Sequence, residues 1–388
     1  MSSTDILNLQ SILDFIRSEY SGRDFIGLHE PLLDESDEEA VRACVRSTFV
    51  SSAGQHIGEF EREIEAWTGT KHAIATVNGT EALCLALLLA GVRAGDEIIT
   101  QAATFAGTGN AVWRAGGRPA FVDVERSTLG MNPDALAAYL EEHAEFRGEE
   151  TINASTGRRI AAVVPMHTFG HACRIAAIVD ICNRYRIAVV EDAAESLGSY
   201  AHGKHTGTFG LLGILSFNGN KVITTGGGGM VLTDDDDLAA RAKHLSTTAR
   251  IAHCYEFVHD EPGFNMRMPN LNAALGMAQM KKLPKLIEAQ RSLAAKYREF
   301  FRKAPWEFVD EPEGTQSNFW LNAVLMKDRA ERDAFLEVSN SQKVMTRALW
   351  RPLHLLPMFS EDPRGDLPVT MDLYDRIVNI PSTIGGKI

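Results

Sequence analysis

A lysine beside tight-turn residues is the first group in this chain with chemical potential: Ser216-Phe217-Asn218-Gly219-Asn220-Lys221 runs into Val222-Ile223-Thr224-Thr225 and the glycines Gly226 to Gly229. Apolar segments at 211–217 and 230–233 flank it, so Lys221 is expected on a loop or strand end beside a sheet. A lysine amine can be a Schiff-base nucleophile if burial or a cationic neighbour lowers its pKa toward working pH. A solvated lysine ahead of a flexible turn fits the same stretch, so the rest of the chain must decide.

Asn78-Gly79-Thr80-Glu81 sits where a strand pattern gives way to a helical one. The first N–H groups of that helix have no intrahelical partners and lie at the positive end of its dipole, which makes a phosphate cradle. A plain cap by Asn78 or Thr80 uses the same residues. Neither a Walker A loop nor a dinucleotide glycine fingerprint is present there. Glu191-Asp192-Ala193-Ala194-Glu195 follows an apolar strand pattern. An aspartate so placed caps the next segment, ligates a metal, or faces a cation such as a pyridinium nitrogen, which a carboxylate keeps protonated. A metal would have to draw on His167-x-x-x-His171, and the intervening Gly170 argues against a helical ligand pair, so no metal is expected. A phosphate cradle, a carboxylate for a pyridinium and an imine-forming lysine are together what pyridoxal 5′-phosphate (PLP) requires. Phe105 then stacks on the ring or packs in the core, and Ser216 offers the phosphate a hydroxyl.

These groups need a scaffold, and the hydrophobic pattern supplies one. Amphipathic helices are expected at 6–20, 34–47 and 57–68. From residue 72, strands at 73–77, 97–101, 119–124, 160–166 and 187–191 alternate with helices at 81–89, 108–115, 133–146 and 175–185. That alternation means βαβ crossovers and a mostly parallel sheet, with ligands at the carboxyl ends of its strands. Asn78, Thr104-Phe105, His167 and Glu191-Asp192 all fall at such ends. A long helical stretch at 270–303, broken or kinked at Pro284, leads to a smaller α+β domain. The expected division is 1–285, a large cofactor-binding domain that includes the N-terminal helix, and 286–388, a small C-terminal domain.

With 388 residues, 45% of them hydrophobic and 23% charged, the chain can bury a large core. A net charge of -12 and the lack of a Lys/Arg-rich run exclude a nucleic-acid-binding surface. The five cysteines are scattered, without a C-x-x-C pair, and read as small core residues of a reducing compartment. No signal-peptide pattern or membrane-length apolar run occurs, so a cytoplasmic protein is expected.

The residues also match a family. The stretches Asn78-Gly79-Thr80-Glu81-Ala82-Leu83, Thr104-Phe105, Val164-Pro165-Met166-His167, Glu191 to Gly198, Ser216 to Lys221 and Gly263-Phe264-Asn265-Met266-Arg267-Met268 give the chain, over nearly its whole length, a resemblance to the DegT type of nucleotide-sugar aminotransferases. The resemblance implies PLP fold type I: an α/β large domain with a mostly parallel, seven-stranded-type sheet and a smaller C-terminal α+β domain. It implies that Lys221 is the Schiff-base lysine, that Asp192 pairs the pyridine nitrogen, and that Gly79, Thr80 and Ser216, with Asn78 beside them, hold the phosphate. Phe105 would lie against the ring and Glu195 near its hydroxyl. Asn265 would reach the cofactor of the other subunit of a homodimer, and His167, Arg267 and His354 would lie toward the substrate.

Two departures from the family pattern stand out: Glu195 occupies a position that is commonly Gln, and Gly226 to Gly229 replaces Gly-Glu-Gly-Gly or Gly-Asp-Gly-Gly. With Phe25 to Pro31 and Thr48 to Ser52, they look like the subgroup that makes 4-amino-4,6-dideoxy sugars for legionaminic-acid-type or bacillosamine pathways. Lys221 excludes a related dehydratase branch that carries histidine there. The expected activity is transamination at C4 of a nucleotide-linked 4-keto-6-deoxy hexose, with L-glutamate as donor. The alternatives are a sensor that binds cofactor and sugar without turnover, or another fold type I PLP enzyme.

Overall fold

The computed structural model describes residues 3–384, with side chains from Leu9 onward; Ile6, on the expected apolar stripe, lies outside the described side chains. Helices α1 (Ser3–Glu19), α2 (Glu35–Ser47) and α3 (Gln55–Thr68) come first. There follow β1 (His72–Thr76), α4 (Gly79–Leu89), β2 (Glu97–Gln101), α5 (Ala106–Arg114), β3 (Arg118–Val122), α6 (Pro133–His143), β4 (Ile160–Val164), α7 (Ile175–Arg184), β5 (Ala188–Asp192), β6 (Leu212–Ser216), β7 (Gly229–Thr233) and α8 (Asp236–Ser246).

The sheet has seven strands in the order β1-β7-β6-β5-β4-β2-β3. β7 runs antiparallel to both neighbours, and the other pairings are parallel. Because successive side chains alternate faces, each strand feeds two cores. Ile98, Val164, Val190 and Ile214 pack with Leu83 and Leu87 of α4 and Val112 of α5. Ile99, Val163 and Val189 pack with Leu136 and Leu140 of α6 and Ile178 of α7. This explains why the strands read as continuous apolar runs rather than as alternating ones.

The long helix α9 (Asn270–Phe301) leads to β8 (Glu307–Phe308), β9 (Asn322–Leu325), α10 (Arg329–Ser341), β10 (Arg347–Ala348), α11 (Pro368–Arg376) and β11 (Ile377–Ile380). These strands form an antiparallel sheet in the order β8-β9-β11-β10.

Three expectations change. The helix at 270–301 runs unbroken through Pro284, so the expected boundary at 285/286 falls inside an element. Next, α1 does not pack on the large sheet. Leu9, Ile12, Leu13 and Ile16 are buried with Tyr297 and Phe301 of α9, Val324 of β9, Phe335 of α10 and Val378 of β11. The small sheet has an apolar face to cover, and the stripe of α1 covers it, so the N-terminal helix joins the C-terminal core. Finally, the helix expected to residue 146 stops at His143, and Ala144–Arg147 turns through Gly148 to pair with Glu150–Asn153. Four cysteines are buried as expected, whereas Cys254 is exposed.

Candidate active site

The carboxyl ends of β1, β5 and β6 converge on a cavity of about 350 Å³ lined by Asn78, Gly79, Thr80, Asp192, Glu195 and Lys221, with Phe105 and Ser216 at its walls. Three stretches spread over more than a hundred residues of chain therefore meet in one place.

At one end, β1 gives way to α4 through Asn78, an extended N-cap whose Oδ1 accepts from the Glu81 N–H at 2.9 Å while its carbonyl accepts from the Ala82 N–H. The N–H groups of Gly79 and Thr80 have no partner among the described residues and stand at the positive end of the helix. Two glycines make this arrangement possible. A Cβ on Gly79 would meet the Ser216 Cβ at 2.9 Å, and one on Gly229 would meet the Asn78 carbonyl oxygen at 2.4 Å. The glycine run thus lets β7 pass against the backbone of the anion cradle.

Asp192, the last residue of β5, is 5% exposed. Its Oδ2 accepts from the Thr108 hydroxyl at 2.8 Å and its Oδ1 from the Ala194 N–H at 3.2 Å. Burial raises its carboxyl above the ordinary aspartate value, against the pull of those hydrogen bonds and of Lys221. Among the described residues Asp192 has no ion-pair partner. A buried carboxylate without a cation is costly, and a protonated ring nitrogen is a group that would relieve it.

Lys221 follows β6 on a turn closed by its own N–H to the Asn218 carbonyl. Its Nζ lies 3.3 Å from Glu195 Oε1 and 4.0 Å from the centroid of the Trp320 ring. Glu195 is 3% exposed, and its Oε2 accepts from the Phe169 N–H at 2.9 Å. Burial pushes its carboxyl up to about 7, opposed chiefly by Lys221. An anion cradle, an unpaired buried carboxylate and a lysine face one cavity, so the residues present fit PLP.

Phe105 caps α5 at the mouth and is half exposed, its ring 6.2 Å from that of Trp350. The remaining sequence candidates lie elsewhere. His167 does not face the cavity: it is fully buried, its Nε2 meets Glu191 at 2.9 Å, and its Nδ1 accepts from the Cys173 N–H. His167, expected toward the substrate, lies instead against Glu191 of β5 and outside the cavity lining. Asn265 is exposed and accepts from Arg267, and neither lines the cavity; nor does His354. His171 is buried as well, its ring edge-on to that of Phe319 at 5.4 Å.

Sequence reasoning missed Thr108 and Trp320. Thr108 carried a weak signal, four residues after Thr104 at a strand end. Trp320 comes from the C-terminal part of the chain, and nothing local points it at Lys221.

The chain is similar to known proteins over most of its length. Residues 31–385 match the model of the DegT/DnrJ/EryC1/StrS aminotransferase family. The GDP-perosamine synthase of Vibrio cholerae is 31% identical over 93% of this chain and 94% of its own length. The structure of DesI, determined with its TDP-sugar product, superposes with a TM-score of 0.80 at 26% identity, over 94% of this chain and 91% of that one. A Streptococcus pneumoniae protein known in its PLP form shares the fold, with a TM-score of 0.83 at 20% identity over 92% of this chain and 93% of that one.

Proposed function

The chain belongs to the DegT/DnrJ/EryC1/StrS aminotransferase family, and for this PLP-dependent nucleotide-sugar aminotransferase we propose a finer activity: transfer of the L-glutamate amino group to C4 of a nucleotide-linked 4-keto-6-deoxy (N-acetyl)hexose. The setting we propose is cytoplasmic synthesis of a nonulosonate of the legionaminic-acid type or a related surface sugar. No helix among the described residues is long and apolar enough to cross a membrane. The observation that carries the reading is the meeting of Lys221, Asp192 and the Gly79–Thr80 cradle in one cavity.

Bound there, PLP supplies an aldehyde carbon that condenses with amines and a ring that takes up the electron pair released when a proton leaves the donor carbon. The protein does the rest. The N–H groups of Gly79 and Thr80, with the Ser216 hydroxyl, would hold the phosphate. Asp192, whose carboxylate the Thr108 hydroxyl fixes, would keep a proton on the ring nitrogen. Phe105, half exposed on the cavity wall, would shield the site from solvent. Lys221 Nζ, which lines the same cavity, would hold and move the proton at the donor carbon.

The proposed catalytic unit is a homodimer. Asn265 is exposed and outside its own cavity, and the nearby hairpin pairing Arg250–Ile251 with Val258–His259 presents Tyr255 and Phe257 to solvent. Both features suit a partner subunit, with Asn265 reaching across.

The test is amino transfer from glutamate to a panel of UDP-, GDP- and dTDP-linked 4-keto-6-deoxy sugars, with product formation followed by mass spectrometry. One carrier and sugar should be favoured, and glutamate alone should convert the cofactor's visible band to the amine form. Lys221→Ala should abolish turnover. Wild-type rates in that variant, or no amino transfer to any C4 ketone, overturn the reading.

A further inference from the structure

Lys221 is held from two sides by groups of different kinds. On one side Glu195 presents Oε1 at 3.3 Å, and its other oxygen is pinned by the Phe169 N–H. On the other side the Trp320 ring stands 4.0 Å from Nζ, and its indole N–H donates to the Asn220 carbonyl at 2.5 Å. That bond ties the tryptophan to the residue before the lysine, so ring and amine keep their spacing. The remaining charged and titratable groups in the neighbourhood are Asp192, one strand end away, and His29, from the segment after α1. His29 is lowered to about 4 by burial and by Lys221, and is therefore neutral at working pH.

An indole face attracts an ammonium but cannot accept its proton. A carboxylate attracts it and can accept the proton as well. We propose that Glu195 and Trp320 form a dock for the Lys221 amine in which Glu195 is the proton acceptor: it takes the ammonium proton so that the neutral amine is available, and gives it back when the amine next needs a proton. One N–H bond breaks as one O–H bond forms, and no proton crosses to solvent. Glutamine at 195 would keep the size and one hydrogen bond but not the exchange. Glu195 touches the reacting nitrogen and is a catalytic residue; Trp320 is a positioning residue. The balance fits this use, because burial already brings the Glu195 carboxyl up to about 7, so neither protonation state is heavily disfavoured near neutrality.

The inference rests on Lys221 being the cofactor-bound lysine, and the experiment separates the two. The visible spectrum of the resting holoenzyme is titrated with pH for wild type, Glu195→Gln, Glu195→Asp, Trp320→Leu and Lys221→Ala. A nearby anion favours the protonated lysine–cofactor linkage, so Glu195→Gln should lower the midpoint of the visible transition by about one to two pH units, the scale of removing one opposite charge at this range. Glu195→Asp should restore part of the shift, and Trp320→Leu should lower the midpoint by a smaller amount.

The pH profile of kcat should also lose its limb near neutrality in Glu195→Gln while KM for glutamate changes little. An unchanged midpoint in a folded, cofactor-loaded Glu195→Gln enzyme overturns the dock. If Glu195→Gln fails to load cofactor, Glu195→Asp and Trp320→Leu decide, and unshifted midpoints in both overturn it as well. A lysine-type visible transition persisting in Lys221→Ala overturns the assignment of Lys221 instead.

Discussion

Glu191 and Asp192 are neighbours on one strand, both out of water, and the protein treats them in opposite ways. Glu191 accepts from His167 Nε2 and from the N–H groups of Gly207, Phe209 and Gly210, at 2.5 to 2.9 Å. Burial works against its charge, but the bonds from His167, Gly210 and Gly207 outweigh it and hold the carboxyl below its ordinary value. Asp192, facing the other side of the sheet, has two donors and, among the described residues, no ion-pair partner, and its carboxyl is raised. A buried charge that is fully satisfied belongs to the scaffold, whereas one left short of partners is waiting for a ligand. The alternation of a β-strand puts the two kinds one residue apart.

The contrast is broken most severely at Glu191. In Glu191→Gln either amide orientation turns an NH₂ toward two donors, so buried N–H groups face each other. Removing one partner of such a cluster costs about 3–5 kcal/mol, measurable by urea unfolding of the apoprotein, with kcat per folded, loaded enzyme nearly unchanged. The pH dependence has the same origin. A folded-state value below the unfolded one means that Glu191 contributes stability above its unfolded value and loses it as pH falls through the folded one. The variant should therefore lack that part of the wild-type acid limb. A variant as stable as wild type would make Glu191 dispensable and leave its four bonds without consequence.

The sequence was informative where chemistry and local geometry coincide. Asn78 to Thr80, Asp192, Glu195 and Lys221 sit at strand ends, and a parallel sheet gathers strand ends by construction. It was misleading at His167, because a histidine following a strand reads the same whether it points into a cleft or back toward Glu191. Face depends on the register of one irregular residue, here Met166, which bridges to Asp192. It was silent on Trp320, a hundred residues beyond Asn220, and on the core shared by α1 and α9, because tertiary contacts over that separation leave no periodic trace.

The contrast is sharpened at Asp192 itself. Its folded-state value lies above the unfolded one, so in the apoprotein its charge costs stability at neutral pH, and that cost disappears as pH falls below the unfolded value. Asp192→Asn should leave the apoprotein at least as stable as wild type, since the Thr108 hydroxyl can turn to suit the amide. Turnover should fall by on the order of a hundred- to a thousandfold, the scale of losing one charge-stabilising group in a closed site. Thermal unfolding with and without PLP, beside steady-state rates, reads both effects. Destabilised apoprotein with near-normal turnover would make Asp192 a structural residue like Glu191.

The smallest effect tests how sparse the support of Asp192 is. Thr108→Val keeps the shape and removes one of its two donors, whereas the donors to Glu191 are mostly backbone and cannot be removed by substitution. A hydrogen bond to a charged group contributes about 1.5–3 kcal/mol, part of which solvent or the cofactor recovers, so PLP affinity and kcat should each fall roughly tenfold. Thr108→Ser should restore most of both, because it returns the hydroxyl. The variant should unfold within about 1 kcal/mol of wild type in the apo form, since burial already disfavours the ionised carboxyl in the native state and the Ala194 N–H still holds it. If affinity and rate do not move in Thr108→Val, then Asp192 is held by the Ala194 N–H and the ligand alone, and two donors are no fewer than it needs.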